Sequence, residues 1–344
     1  MFDSLIILSG ILIIAILFTL FRVGTLVNVV RNRDKKPVTG SNKVNATLLA
    51  LFVIGGLALF FYYSSAYYDE YTLPLASEHG IHTDRLFWWT MGVTVAAFVI
   101  THIVLIAFAY KYRYAETQKA TFFPDNTKLE VIWTIIPAIV LATLIFSGLA
   151  TWTDITGPAP DDAEVIEVYG FQFGWKSRYP GNDGELGGFD FRKIDAVNDM
   201  GIDFSDEAAL DDFVPIEMHV PKGKAVELKI RAKDVIHSVF IPHFRAQMNA
   251  VPGMPTRFWF TATKTTEEMR AELDNPEFNY ELVCNKICGK AHFAMRYVIV
   301  VDEPEDYEKW KAEQTAWLKN NPDYLSKLPS ELKELAMLKS GISE

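Results

Sequence analysis

Four long apolar runs, near residues 4–30, 45–68, 86–110 and 130–152, fill most of the first 150 residues. An α-helix rises 1.5 Å per residue and the hydrocarbon layer of a bilayer is about 30 Å thick, so each run is long enough to cross one. A single such run fits a buried helix of a soluble protein. Four in succession have only lipid to bury them. The segment 31–43 holds Arg31, Arg33, Lys35, Lys36 and Lys43 against Asp34. The segment 111–128 holds Lys111, Arg113, Lys119 and Lys128 against Glu116 and Asp125. Between them, 69–85 carries Asp69, Glu70, Glu78 and Asp84 against Arg85. Basic loops stay on the cytoplasmic side, so the N-terminus and everything after the fourth run are expected outside. Tyr62, Tyr63, Tyr67, Tyr68, Trp88 and Trp89 fit an interfacial aromatic belt. The first run has an acidic Asp3, no basic start and no small-residue cleavage site, so it reads as a retained span. His102, inside the third run, reads as a hydrogen-bonded structural histidine.

Charge divides the chain at the same place. Residues 1–150 carry 11 Lys/Arg and 9 Asp/Glu, whereas 151–344 carry 22 and 34. An acidic domain of this kind excludes nucleic acid as a partner and favours a basic partner at low salt. From Glu164 the hydrophobic period shortens. Segments 165–169, 216–220, 225–230, 257–262, 280–283 and 295–301 alternate as short strands, with Pro-Gly and Pro-Lys-Gly turns between them. Many short strands with such turns imply a sandwich or barrel. Residues 182–213, rich in Gly and Asp, read as a solvated surface excursion. The tail 303–344 reads as helical, with Trp310 and Trp317 seven apart on one face, Ser330 capping a last helix and Gly341 ending it.

The chemistry concentrates in one short stretch. Cys284 and Cys288 are the only cysteines, and His292 and Met295 follow them at short offsets. His237 lies on an apolar segment upstream. Taken alone, the cysteine pair fits a disulfide, since exported domains often carry one. It also fits a tetrahedral zinc site with His237 and His292, a thiol-reactive pair, or a membrane-anchored copper carrier. The thioether favours copper over zinc. Two thiolates, two imidazoles, Met295 and the backbone carbonyl of Lys286 are enough donors for two bridged copper ions. Such a pair changes geometry little on gaining an electron, which suits a relay. No Cys-x-x-Cys-His is present, so no covalently attached haem is expected.

Over roughly residues 115–302 the sequence resembles subunit II of the haem–copper cytochrome c oxidases. The resemblance rests on Leu129–Pro137, on Gly170–Trp175 with Tyr179-Pro180-Gly181, on Asp234–Ser238, on Ala250–Met254 and on the whole Cys284–Met295 loop. It implies a membrane-anchored chain: a four-helix transmembrane region, then an all-β cupredoxin-like barrel on the periplasmic side of the bacterial inner membrane, then a helical tail. The expected divisions are 1–112, 113–155, 156–302 and 303–344. It further implies a dinuclear copper centre that takes single electrons from a cytochrome c, or a haem c domain of another respiratory complex. The electrons pass to haem in subunit I, which also holds copper B and reduces oxygen to water. By the same resemblance His237, Cys284, the Lys286 carbonyl, Cys288, His292 and Met295 hold the copper, and Glu130 stands at the mouth of a proton path. The other class considered, a structural subunit like that of quinol oxidases, lacks these donors.

Three positions depart from the family pattern. Lys286 stands where a magnesium-binding carboxylate is usual, and Asn249 where Asp is common. A hard divalent ion wants charged oxygen ligands, so magnesium is expected to be absent, with the Lys286 ammonium replacing its charge. The surface Trp that admits the electron is replaced by Phe173, with Trp175 two residues on, so both are candidates for electron admission. The two N-terminal spans are additional to the family's usual two.

Overall fold

The computed structural model describes residues 2–31, 40–115 and 119–342. Arg33, Asp34, Lys35, Lys36 and Glu116 of the two basic loops lie outside the described residues. The chain divides into two compact units, residues 1–71 with 91–136 and residues 72–90 with 137–344.

Among the described residues, four helices are long and apolar enough to cross a membrane: α1 (Phe2–Val30), α2 (Gly40–Ala66), α4 (Glu78–Lys111) and α5 (Thr127–Thr156). A single turn, α3 (Tyr68–Tyr71), follows α2. Their apolar side chains, such as Ile14, Phe52, Ile100 and Ile139, are exposed all round, which water would not tolerate and lipid does. Polar groups inside the spans satisfy themselves locally. Thr143, Ser147, Thr151 and Thr153 each donate to the carbonyl four residues back. His102 is held in the same way, with Nδ1 2.8 Å from the Phe98 carbonyl, in keeping with a structural histidine. Asn126 starts α5, its Oδ1 accepting from Leu129 N at 3.1 Å.

The described residues of the second unit contain nine strands. β1 (Glu164–Phe171), β2 (Gly174–Arg178), β4 (Ala225–Ala232) and β7 (Thr256–Thr261) form one sheet in the order β2-β1-β4-β7. β3 (Met218–Pro221), β5 (His237–Ile241), β6 (Ala246–Ala250), β8 (Tyr280–Cys284) and β9 (Arg296–Asp302) form the other, in the order β3-β9-β8-β5-β6. Alternate residues face inward, including Val226, Leu228 and Ile230 on one sheet and Tyr280, Leu282, Ile299 and Val301 on the other. Each such side chain contributes about 1.5–3 kcal/mol by leaving water. Residues 72–90 and the end of α5 are tied to this barrel. Arg245 Nε donates to Asp84 at 2.8 Å, Ser77 Oγ donates to the Phe244 carbonyl at 2.7 Å, and Trp259 Nε1 donates to the Asp154 carbonyl at 3.0 Å.

Residues 182–213 are not the solvated excursion expected from their composition. Met200, Ile202, Phe204, Ala209 and Leu210 are buried and share a second hydrophobic core with Tyr169, Leu318, Tyr324, Leu328 and Ala336. A short helix, α6 (Thr266–Glu272), lies between β7 and β8, and the tail folds as α7 (Pro304–Ala312), α8 (Trp317–Asn320) and α9 (Lys333–Ser340), joined by 3-10 turns. Trp310 and Trp317 therefore do not share a helix face: α7 ends at Ala312, Trp310 packs on the barrel core and Trp317 on the second core. Ser330 does not cap the last helix. It sits in a preceding 3-10 turn started by Pro329, and its hydroxyl turns to Glu331. Gly341 does end α9, at φ 70°, a left-handed conformation that glycine adopts without penalty.

A buried ionic knot lies beneath the second core. Arg178 donates to Glu167 at 2.7 Å, to Asp212 at 2.8 Å and to the Gly187 carbonyl at 2.8 Å. Arg231 also binds Glu167, and reaches the Met200 carbonyl at 2.8 Å. Burial alone would raise the Glu167 carboxyl, but the two guanidiniums outweigh it and hold it at about 2. For Asp212 burial prevails over Arg178 and pushes the carboxyl up to about 8.

Candidate metal centre

Strand pairing brings the donors together. His237 opens β5, Cys284 closes β8, and Val239 of β5 lies opposite Cys284. The loop from Cys284 to Met295 joins β8 to β9 and is closed at its base, where Cys284 N donates to the Met295 carbonyl at 3.2 Å. Cys284 and Cys288 are both buried free thiols, with sulfurs 3.9 Å apart. That is nearly twice a disulfide bond length. Each sulfur has its own imidazole: His237 Nδ1 lies 3.9 Å from Cys284 Sγ and His292 Nδ1 lies 3.6 Å from Cys288 Sγ. Each also has one weaker donor. The Lys286 carbonyl is 3.2 Å from Cys284 Sγ, and Met295 Sδ is 3.3 Å from Cys288 Sγ. The ligand atoms of His237, Cys284 and Cys288 all lie within 4.8 Å of one another, compatible with a metal ion. Burial above all, and then the neighbouring Cys284 sulfur, push the Cys288 thiol up to about 11. At neutral pH it keeps its proton until a soft cation displaces it.

The surroundings fix this arrangement. His237 Nε2 lies 2.9 Å from Asp234 Oδ1. A carboxylate only accepts, so Nε2 carries the proton and the Nδ1 lone pair faces the sulfurs. Burial would raise the Asp234 carboxyl, but hydrogen bonds from His237, Gln172 N and Val235 N together lower it. Gln172 links the two donor segments. Its backbone N donates to Asp234 Oδ2 at 2.8 Å and its Nε2 to the Cys288 carbonyl at 2.5 Å. Gly289, at φ 140°, lets the ring of Phe173 lie on the loop, since a Cβ there would come within 2.8 Å of that ring.

Phe173 is 40% exposed, whereas Trp175 is 5% exposed and packs edge-on to His237 at 5.8 Å between centroids. Lys286 points its side chain to solvent and, among the described residues, meets no carboxylate. Asn249 lies on β6 opposite Ser238. Glu130 lies in the first turn of α5, where its Oε1 accepts from Asn126 N at 3.4 Å. Sequence reasoning missed Gln172, Asp234 and Gly289 as shapers of the site. The available signals were an acid three residues before a candidate ligand and a glycine directly after the second cysteine.

Residues 72–150 match the family of the cytochrome c oxidase subunit II transmembrane domain, and residues 165–302 match that of its periplasmic domain. An alternative cytochrome c oxidase subunit 2 from Bradyrhizobium diazoefficiens is 32% identical over 277 residues, covering 78% of this chain and 91% of the relative. This chain belongs to the cytochrome c oxidase subunit II family. A further member, cytochrome c oxidase subunit 2 of Thermostichus vulcanus, is 27% identical over 297 residues, with 70% of this chain and 77% of that one covered. Among solved structures, the periplasmic domain of cytochrome oxidase subunit II from Bradyrhizobium japonicum is 26% identical. It covers 45% of this chain and 94% of its own, with a TM-score of 0.30. As a subunit II the chain is a membrane-anchored component of a terminal oxidase carrying a β-domain outside the bilayer. Helices α1 and α2, and the tail from Glu303, lie outside the matched residues.

Proposed function

We propose that this subunit II admits electrons to a terminal oxidase, taking them singly from a cytochrome c or a haem c domain of another complex and passing them to haem in subunit I for reduction of oxygen to water. The observation that carries this reading is the paired arrangement at the cluster: each sulfur has one imidazole and one weak donor beside it. A single zinc ion would leave the Met295 thioether and the Lys286 carbonyl without a role. A dinuclear copper group held by His237, Cys284, the Lys286 carbonyl, Cys288, His292 and Met295 supplies a one-electron carrier with its charge shared between two metals. The protein's part is to keep the sulfurs dry, to fix the His237 tautomer through Asp234 and to hold the loop base closed between β8 and β9.

Phe173 is the side chain through which electrons arrive, because it alone of the two candidates reaches the surface. Phe173→Ala should slow reduction by cytochrome c more than Trp175→Ala does, and the reverse order would assign the role to Trp175. Lys286 takes over the charge of a magnesium ion at the subunit I boundary. Stoichiometric magnesium or manganese there, by elemental analysis, would refute this. Glu130 serves a proton path, and unchanged turnover and proton uptake in Glu130→Gln would end that assignment. The N-terminus and the β-domain lie on the periplasmic side of a bacterial inner membrane, with functional divisions at 1–112, 113–155, 156–302 and 303–344. Copper loading of the subunit followed by near-infrared absorption tests the reading as a whole: a band from the paired thiolates is expected, and its absence counts against it.

A further inference from the structure

The chain changes character where α4 ends. Tyr110-Lys111-Tyr112-Arg113-Tyr114 alternates rings and bases, and the loop that follows carries Phe122 and Phe123, 88% and 69% exposed. The start of α2 lies at the same end, where Asn42 Nδ2 donates to the Tyr114 carbonyl at 2.8 Å. Both belong to one compact unit. Among the described residues of α2, of the end of α4 and of the start of α5, the bases are Lys43, Lys111, Arg113, Lys119 and Lys128, and the acids are Asp125 and Glu130. None of these bases pairs with a carboxylate among the described residues, and Glu130 is turned back to Asn126 N.

Two of the bases are already set in place. The Arg113 guanidinium lies 4.5 Å from the Tyr110 ring and donates through Nη1 to the Tyr110 carbonyl, at the C-terminal end of α4. The Lys111 ammonium lies 5.4 Å from the Tyr112 ring. Rings hold these charges without neutralising them, and a guanidinium bonded through one nitrogen keeps others for an outside acceptor. The first turn of α2 carries no acid. A helix start presents unpaired N–H groups and a partial positive charge. Phe122 and Phe123, beside bases and just beyond the end of a span, fit the level where headgroups meet acyl chains. An anion at that level is part of a lipid.

We propose that the adjoining ends of α2 and α4 hold the headgroup of an anionic phospholipid, its phosphate on Arg113, Lys111 and the start of α2. Basic loops are common to membrane proteins and need no more than mobile charge. At this end one guanidinium is fixed and Asn42 ties two spans together, which makes a site between helices. α2 lies outside the residues matched to the family, so the site belongs to the additional spans. The inference rests on the four helices being membrane spans and is independent of the redox reading.

The test uses the intact oxidase, stripped of lipid in detergent and titrated with phosphatidylglycerol or phosphatidylcholine. Native mass spectrometry of the complex, with this subunit ejected in the gas phase, reports the lipid that the subunit itself holds. The wild-type subunit should carry one phosphatidylglycerol at concentrations where it carries no phosphatidylcholine. Lys111→Gln combined with Arg113→Gln should weaken that binding about thirtyfold. Asn42→Ala changes no charge and should weaken it about fivefold, by releasing α2 from the site. Lys229→Gln, on an exposed position of β4, should leave it unchanged. Equal binding of the two lipids by the wild type overturns the proposal, as does phosphatidylglycerol binding that the double variant leaves intact. Binding indifferent to Asn42→Ala overturns it too, because α2 then has no part in the site. Should the double variant fail to assemble, the wild-type comparison and Asn42→Ala decide the matter by themselves. Loss of a neighbouring subunit from the double variant, with no phosphatidylglycerol on the wild type, assigns the patch to a protein contact and overturns the lipid site.

Discussion

The two hydrophobic cores of the extramembrane domain are built from chain of opposite character. The barrel core comes from alternating strands whose inward residues, such as Leu228, Leu282 and Ile299, are apolar by sequence period alone. The second core comes from an acidic, glycine-rich insertion and a broken helical tail, and its apolar residues follow no period. The first core stands on dispersion and area. The second is seated on β1 through the ion pairs of Arg178 and Arg231 with Glu167, and through hydrogen bonds from the same guanidiniums to Asp212 and to carbonyls of the insertion. Hydrophobic periodicity builds the scaffold that positions the metal donors, and charge pairing attaches an added module to it.

The sharpest way to break this contrast is Arg178→Leu. It leaves Glu167 with Arg231 alone and Asp212 with only the Gly187 N–H in a dry site, at a cost of about 3–5 kcal/mol. Chemical denaturation of the subunit should show the loss, and a change below 1 kcal/mol would mean that the knot is not what seats the module. Next in size, Leu328→Ala should cost roughly 2–4 kcal/mol in the second core. Proteolysis of the tail should rise while copper binding stays unchanged; a simultaneous loss of copper would show that the two cores are not separable.

Much of the first core was legible in the sequence because alternation over β1, β4, β7, β8 and β9 needs no knowledge of partners. The four spans and the donor loop were legible for similar reasons, in that length and local spacing settle them. β2 was not, since its buried Ser177 and Arg178 are polar, one on each face, and their partners Tyr297 and Asp212 come from other segments. The second core escaped because Phe204 and Tyr324 meet across more than a hundred residues of chain. A residue such as Phe204 within an acidic run looks solvated until its partner is known. Gln172 escaped for the same reason: its two bonds reach 62 and 116 residues away.

On the barrel side, Asp234→Asn tests how the site is positioned. It should weaken copper retention about 10–100-fold while leaving the fold intact, by metal-competition titration with circular dichroism as control. Unchanged retention would mean that β5 alone orients His237.

The last expected effect is a slope, in the pH dependence of the knot. Glu167 is held at about 2, below its ordinary 4.5, so its contribution is present above 4.5 and disappears as pH falls towards 2. Asp212 acts in the opposite sense. Its folded value of about 8 lies above its ordinary 3.8, so the folded chain keeps a proton that the unfolded chain releases, and stability declines as pH rises across that window. Asp212→Asn should flatten stability against pH between those values while leaving the acid limb from Glu167 in place. An unaltered slope would show that Asp212 is ionised beside Arg178 throughout.

The proposed role depends on Cys284 and Cys288, which would together hold two copper ions at the barrel end. Electron paramagnetic resonance of the isolated, copper-loaded subunit, with copper counted per chain, tests it most directly. Two copper ions per chain and hyperfine structure from one electron shared equally between two nuclei are expected. One copper or none per chain, or a bond between the two sulfurs, would contradict it.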